Sequence, residues 1–372
     1  MRPALARADN RRPVGYAGGT RAQAVADDIA ADHTLAQQAV WTIASLQLRC
    51  MLYRVPADVD RATVLTRLNA DPRIALAQPL NRFDTYASLN PPAAYNDPLV
   101  GLQRGFAVLD AAGAQQWATG EGVRVAVIDS GVDSAHPDLQ GRIAVQRDFA
   151  AAMPAARDGD VHGTQVAGLI AAGANNGVGI VGIAPRARLL AYRACWASGE
   201  SVGASRCDSF TLAQALGAAI ADGADIINLS LGGPADPLLA RLAGRAIERG
   251  SIVVGALPPN GRRDGFPAGV PGVLTVASSD DGVPAAGVLA APGRSILTLA
   301  PGGHYDYASG SSLAAAQVSG ALALLRSLQP RLRGDAARAG LAPRDGASAA
   351  SINLCAAVQR LRAAAECGAA TP

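Results

Sequence analysis

Short apolar runs alternate with helical patterns along the chain from residue 98 onward. The runs are long enough for buried strands, and the segments between them carry apolar residues at helical spacing. This alternation favours a mostly parallel sheet with right-handed crossovers and helices on both faces. The fold class predicted for this part is therefore α/β with three layers. The predicted strands are 123–128, 189–193, 225–229, 251–256 and 273–277, and the predicted helices include 211–222 and 238–249.

The first 97 residues follow a different pattern. An Ala-rich helical segment is followed by two strand-like runs, a second helix and a last strand, which together indicate a small α+β domain. Asp58 is a plausible N-cap of the second helix, and Val64, Leu65 and Leu68 form its inner face. The predicted organisation is a disordered or tail segment 1–20, a small domain 21–84, a linker 85–97 and a large domain 98–372.

Three segments of the large domain carry candidate catalytic side chains. Asp129 ends an apolar strand, where active sites of open α/β sheets form. His162 opens an apolar helix of small residues, and Ser312 follows a tight turn that leads into the helical run 310–320. The N–H groups and dipole of a helix N-terminus suit a serine that must stabilise an oxyanion. Taken singly, each has an ordinary alternative, since serine is a frequent N-cap and a buried Asp or His normally has a structural partner.

In the order Asp, His, Ser, these segments resemble the subtilisin-like serine proteases, the subtilases. The acid motif 129–133 and the histidine motif 162–168 match the family residue for residue. The serine motif has Ser311 where the family has threonine and Ala316 where it has proline. The resemblance implies a serine endopeptidase whose triad is Asp129, His162 and Ser312. A serine esterase of another α/β fold would need a G-x-S-x-G elbow and the order Ser, acid, His, and the sequence has neither.

The substrate-binding strand and the oxyanion hole follow from the same resemblance. The segment 228–233 matches the family strand that pairs with an extended peptide, which implies binding by Ser230, Leu231 and Gly232. A strand end that turns on two glycines is the structural alternative. Pro259 stands where subtilases have the oxyanion asparagine, and Asn260 comes one residue later. Three hypotheses stay open: Asn260 is the donor, another group acts with the Ser312 N–H, or the protein is a weak or inactive pseudoprotease that binds peptides.

The resemblance also assigns a role to the small domain. Subtilases carry a ferredoxin-like α+β propeptide that assists folding and inhibits the protease within the same chain. By this interpretation residues 21–84 are the propeptide, and self-cleavage falls in the linker 85–97. An ordinary accessory domain is the alternative. The expected partners are protein or peptide substrates and the chain's own propeptide.

A glycine-rich loop raises the question of a cofactor. Residues 177–182 satisfy G-x-G-x-x-G, but they follow a helix and precede a strand, which is the wrong context for a dinucleotide. In subtilases the matching loop often binds calcium. By position, Asn176, Asp138 and Asp97 would contribute, together with backbone carbonyls of residues 174, 178 and 180, and hard oxygen ligands suit calcium. A metal-free turn is the alternative, and the chemistry itself is expected to need no cofactor.

Composition and cysteine content limit the classes of binding partner and the cellular compartments to be expected for this protein. The net charge of +3, without a basic run that contains aromatic residues, gives no indication of nucleic-acid binding, and no apolar stretch is long enough for a membrane span. Apart from Cys50, four cysteines suggest two disulfides and a secreted or periplasmic protein, although no signal peptide is visible in residues 1–20. Cys195 and Cys207 are the expected pair across a loop. Cys355 and Cys367 can pair only if 354–366 is not one unbroken helix.

Overall fold

The structure is a computed structural model that describes residues 2–7, 17–43, 48–80, 95–153, 161–198, 205–283, 285–342 and 351–362. The chain divides into two units, Met1–Leu89 and Asn90–Pro372. The boundary between them falls inside the predicted linker 85–97, most of which is outside the described residues.

The first unit is a four-stranded antiparallel sheet with two helices, and its strand order is β2-β3-β1-β4. The chain order βαββαβ is ferredoxin-like, and it includes a first strand that the sequence did not predict. Apolar side chains of both helices pack on one face of the sheet, where Met51, Tyr53, Val64 and Leu68 are buried. The elements are β1 (Arg2–Arg7), α1 (Ala17–Asp32), β2 (Ala36–Ile43), β3 (Leu48–Arg54), α2 (Arg61–Ala70) and β4 (Ile74–Ala77).

Two expectations for this unit are wrong. Residues 1–20 were expected to be a tail, but β1 lies inside the sheet between β3 and β4. The pairing of its backbone with both neighbours provides hydrogen bonds that no side-chain pattern announces. The N-cap of α2 is Asp60 rather than Asp58, because the Asp60 carboxylate accepts a hydrogen bond from the Thr63 N–H at 2.8 Å.

The second unit is built on a seven-stranded sheet in the order β13-β12-β11-β10-β5-β7-β6, in which all neighbouring strands are parallel. Its larger strands are β5 (Arg124–Asp129), β6 (Ile143–Asp148), β7 (Arg188–Arg193), β10 (Ile226–Leu229), β11 (Ile252–Ala256) and β12 (Leu274–Ser278). Its shorter strands are β8 (Cys195–Ala197), β9 (Ser205–Cys207), β13 (Leu289–Ala291), β14 (Ile296–Ala300) and β15 (His304–Ala308). The helices are α3 (Arg104–Val108), α4 (Ala111–Gln115), α5 (Val161–Ala171), α6 (Ser209–Ala221), α7 (Pro237–Glu248), α8 (Ser311–Leu328), α9 (Gly334–Leu341) and α10 (Leu354–Leu361).

Helices cover both faces of this sheet, which makes the predicted three layers. Val125 and Val127 of β5 belong to the core shared with α5 and α8, whereas Ala126 and Ile128 belong to the core shared with α6 and α7. Successive residues of a strand point to opposite faces, so a central strand that is buried on both faces is mostly apolar. This explains why the sequence pattern located these strands to within one or two residues.

Cys195 and Cys207 form the predicted disulfide, which joins β8 to β9. Cys355 is also disulfide-bonded, Cys50 is free and buried, and Cys367 is outside the described residues. Because α10 ends at Leu361, the unbroken helix 354–366 that would have kept Cys355 from Cys367 is not formed.

Among the described helices, none has both the length and the apolar character needed to cross a bilayer.

Candidate active site

Asp129 and His162 are hydrogen-bonded to each other at the carboxyl edge of the sheet. Asp129 is the last residue of β5, and His162 is the second residue of α5. The imidazole Nδ1 lies 2.8 Å from Asp129 Oδ1. The carboxylate can only accept, so Nδ1 carries the proton and Nε2 is left to act as a base. The same Oδ1 accepts the Ser130 backbone N–H at 2.7 Å, which fixes the carboxylate in place.

Small residues allow α5 to approach the strand end closely enough for this contact. A Cβ at Gly163 would lie 1.9 Å from the Gly131 carbonyl oxygen, so only glycine fits there. The Gly163 N–H donates to Ser130 Oγ at 3.1 Å, and Thr164 Oγ1 accepts the Asp133 N–H at 2.9 Å. The first turn of α5 is therefore bound to the segment that follows Asp129.

The surroundings of His162 shift its protonation. Burial disfavours the charged imidazolium, but the negative charge of Asp129 and the hydrogen bond to it outweigh that effect, so the pKa of His162 lies above its ordinary value of 6.5. The imidazole is 21% exposed and the Asp129 side chain 5% exposed. A proton taken up by Nε2 would therefore be stabilised by a largely buried carboxylate.

Ser312 is the second residue of α8, as the sequence predicts. The alternative that Ser311 or Ser312 serves as the N-cap is wrong, because Gly310 occupies that position and no side chain caps the helix. Ser311 instead donates its hydroxyl to the Leu257 carbonyl at 2.7 Å, which binds the start of α8 to the loop after β11. A Cβ at Gly310 would lie 3.1 Å from Ser312 Oγ, so glycine leaves the hydroxyl room.

Two clefts meet at the segment 230–233. One has a volume of about 610 Å³ and is lined by Asp129 and His162, and the other has a volume of about 480 Å³ and is lined by Ser312 and Asn260. Ser230, Leu231 and Gly232 line both. The predicted triad and the predicted substrate-binding residues thus line these two adjoining clefts, which we refer to together as the groove. Hydrogen bonds between described residues do not include one from Ser312 to His162.

The loop after β11 carries the oxyanion candidate. Residues 258–261 form a turn in which the Gly261 N–H donates to the Pro258 carbonyl at 2.9 Å. Asn260 Oδ1 accepts the Arg262 N–H at 3.0 Å. The oxygen of the Asn260 amide is therefore occupied within the loop, and its nitrogen is the end that can donate into the cleft.

The three calcium candidates lie in one hydrogen-bonded cluster. Asp138 Oδ1 accepts from Asn176 Nδ2 at 2.8 Å, and Asp97 Oδ1 accepts from the Asn176 N–H at 3.3 Å. Asp97 and Asp138 are buried, and within the described part of the chain neither forms an ion pair. Burial raises the pKa of Asp138, although hydrogen bonds from Asn176 and the Ile180 N–H oppose it. Buried carboxylates without a cationic side chain fit a bound cation.

The fit to calcium rests on two carboxylates rather than on a larger acidic group. No set of three or more His, Cys, Asp or Glu side chains is placed to hold a metal among the residues described. Asn176 presents Nδ2 to Asp138, while its Oδ1 accepts the Val178 N–H at 3.0 Å. A role for Asn176 as a ligand would therefore need its amide to turn, and backbone carbonyls of the loop would provide the remaining oxygens.

A buried chain of hydrogen-bonded polar side chains lies behind Ser312 and was not predicted from the sequence. Ser319 Oγ donates to Asn228 Oδ1 at 2.8 Å, Asn228 Nδ2 donates to Ser230 Oγ at 2.9 Å, and Ser230 Oγ donates to the Ser312 carbonyl at 2.9 Å. The one available signal was an asparagine inside the apolar strand 225–229. Nothing in the sequence indicates its partner 91 positions away.

The model of the subtilase family matches residues 120–344. Subtilisin E of Bacillus subtilis (strain 168) is 36% identical over 229 residues, which cover 58% of this chain and 58% of that protein. A subtilisin of Bacillus pumilus is 35% identical over 229 residues, 58% of this chain and 80% of that protein.

Solved structures of similar proteins agree with the fold of this chain. A protease from Pseudoalteromonas arctica matches with a TM-score of 0.56 and 26% identity, over 72% of this chain and 100% of that chain. Fervidolysin from Fervidobacterium pennivorans, a keratinolytic enzyme related to subtilisin, matches with a TM-score of 0.61 over 96% of this chain and 60% of that chain. Its identity of 23% supports likeness of fold alone.

Proposed function

The chain belongs to the subtilase family, and we propose that it is a serine endopeptidase that hydrolyses peptide bonds through Asp129, His162 and Ser312. The observation that carries the proposal is the hydrogen bond of 2.8 Å between His162 Nδ1 and Asp129 Oδ1, at the edge of the groove that also receives Ser312. A base oriented by a buried acid, beside a serine at a helix N-terminus, is the arrangement that acyl transfer needs.

The reaction follows from these roles. Ser312 Oγ attacks the scissile carbonyl carbon while its proton passes to His162 Nε2, and a tetrahedral intermediate forms. The C–N bond then breaks, the leaving amine takes the proton from Nε2, and the acyl group remains on Ser312. Water attacks this ester with His162 again as the base, which releases the acid product and restores the serine. Asp129 holds the imidazole and stabilises its charge in both halves.

The substrate is an extended peptide or protein segment. Ser230, Leu231 and Gly232 border both halves of the groove, and the exposed backbone at Gly232 leaves room for a peptide strand to pair with it. The donors proposed for the oxyanion are the N–H of Ser312 and the side-chain amide of Asn260, whose oxygen is held by Arg262 N–H.

A pseudoprotease that binds peptides is the second candidate. Pro259 at the family's asparagine position favours it, because a proline offers no donor. In subtilisin itself, removal of that one donor lowers kcat about a hundred- to a thousandfold without abolishing it. The hydrogen bond between Asp129 and His162 orients a base, which peptide binding alone does not require. The active enzyme is therefore the better supported function.

The first unit is proposed to be a propeptide that inhibits the enzyme within the chain until it is cut off. The division of the chain into two compact units after Leu89 and the ferredoxin-like order of helices and strands in the first unit support this role. Trp41 and Leu76 of its sheet are 44% and 43% exposed, and an apolar exposed sheet surface suits a protein that binds another protein surface. The Cys195–Cys207 disulfide supports a secreted or periplasmic location.

Calcium is proposed as a structural ion and not as a reactant. Asp97 and Asp138 would hold it with oxygens of the loop that contains Asn176, and its charge would offset that of the two buried carboxylates. No step of the hydrolysis requires it.

The test is expression of the full chain beside its Ser312→Ala variant, with intact mass followed over time. The unaltered chain is expected to cut itself between about residues 84 and 97, within the boundary between the two units, while the variant stays whole. If both chains stay whole, and neither casein hydrolysis nor labelling by a serine-directed fluorophosphonate is detected, the pseudoprotease is the better account.

A further inference from the structure

A one-way chain of hydrogen bonds connects the middle of α8 with the carbonyl of the proposed nucleophile. Ser319 donates to Asn228, Asn228 donates to Ser230, and Ser230 donates to the Ser312 carbonyl, with distances of 2.8, 2.9 and 2.9 Å. Each donor is used once and all point in the same direction. Hydrogen bonds in such a series polarise and strengthen one another.

The chain is buried, which makes each of its bonds costly to lose. Asn228 and Ser319 are 0% exposed and Ser230 is 7% exposed. Asn228 lies in the strand β10, between Ile227 and Leu229, which point to the opposite face of the sheet. An apolar side chain at this position would avoid the desolvation of an amide altogether. The amide is therefore better explained by what it holds than by its contribution to folding.

We propose that this chain positions Ser312 for attack and that Ser319 and Asn228 are positioning residues of the enzyme. The inference rests on the proposed function. Ser230 belongs to the strand that would pair with the substrate, and its hydroxyl holds the backbone of the nucleophile. The chain thus fixes the distance between the bound peptide and Ser312 Oγ. Ser319 lies seven residues after Ser312 in α8, two turns along the same side of the helix.

Loss of the Ser319 hydroxyl leaves Asn228 Oδ1 without its donor, so the amide can turn and release Ser230. Substrate pairing with the backbone of residues 230–233 needs none of these hydroxyls. The expected result is a fall of kcat with little change in KM, since small displacements of reacting groups have large effects on rate. A residue that only stabilised the fold would lower the melting temperature and leave kcat of the folded protein unchanged.

The full chain is expressed and allowed to process itself, and the processed protein is assayed. Ser319→Ala, Ser230→Ala and the double variant are prepared in the same way. Ser319→Ala is expected to lower kcat about tenfold or more, with KM within about twofold, and to slow labelling by a small fluorophosphonate by a similar factor. The double variant is expected to be no slower than Ser230→Ala, because both changes break the same chain.

A matched control is available at the opposite edge of the sheet. Ser251 Oγ donates to the Ala224 carbonyl at 2.7 Å, so Ser251→Ala removes one comparable hydrogen bond and should leave kcat unchanged. Unaltered kcat and labelling in Ser319→Ala, or losses that multiply in the double variant, would overturn the inference alone. Absence of labelling in the unaltered chain would overturn the proposed function and this inference with it.

Discussion

In the proposed mechanism, the protonation of His162 decides the pH range in which the protein can hydrolyse peptides. Its pKa is raised because the charge of Asp129 and the bond to it outweigh burial. The imidazolium therefore stabilises the fold below pH 6.5, and this contribution is lost as the pH rises through the raised pKa. Activity changes in the opposite direction, because only the neutral imidazole accepts the proton of Ser312. We expect the acid limb of kcat/KM to have its midpoint above pH 6.5.

The profile is measured with a peptide substrate on the processed protein, between about pH 5 and pH 9. His304→Gln is the control, because His304 is exposed and lies outside the groove, and its profile should match that of the unaltered protein. A midpoint at or below pH 6.5 in the unaltered protein would contradict the role given to Asp129.

The residues proposed for the triad can be located from the sequence, but the contacts that hold them in place cannot. Asp129, His162 and Ser312 each stand in a local motif that can be read without knowledge of the fold. The contacts that hold them come from residues far apart in the chain, such as Ser311 with Leu257. A hydroxyl or an amide has many possible partners, and only the packed fold selects one of them.

At the scale of elements, the contact between α5 and the end of β5 sets the geometry of the acid and the base. A Cβ at Gly163 would meet the Gly131 oxygen at 1.9 Å and Asp129 Cβ at 3.2 Å. We expect Gly163→Ala to push α5 away and carry His162 out of reach of Asp129. The loss in kcat/KM should be about a hundredfold or more, together with a lower melting temperature.

The matched control is Gly217→Ala, since a Cβ at this position in α6 has no neighbour within 4 Å. It should raise the free energy of unfolding by up to about 1 kcal/mol, because alanine favours the helix over glycine, and leave kcat/KM unchanged. Equal activity of the two alanine variants would mean that α5 can move without cost to the site.

The elements themselves were predicted unevenly, for a physical reason. Central strands such as β5 and β10 are buried on both faces, so their apolar runs are distinctive. The strand β1 is held by backbone pairing with two neighbours, and its sequence of arginine, proline and alanine carries no alternating pattern. Short elements such as β8 and β9 depend on the disulfide between Cys195 and Cys207 and on each other.

At the scale of the whole molecule, the stability of the second unit should depend on calcium. Asp97 and Asp138 are buried and form no ion pair within the described part of the chain, and a bound cation would offset the cost of burying two carboxylates. Bound calcium at about 100 times its Kd adds roughly 2.7 kcal/mol to the free energy of unfolding. In a domain of this size that raises the melting temperature by about 5 °C or more.

The measurement is the melting temperature of the Ser312→Ala chain with EDTA and with added calcium, since this background avoids self-digestion. Asp138→Asn should remove the response, because it takes away one of the two carboxylates. Asp335→Asn, which changes a carboxylate on the surface, should keep it. A melting temperature that is the same in EDTA and in calcium would mean that hydrogen bonds from Asn175, Asn176 and Ile180 to these carboxylates hold the loop by themselves.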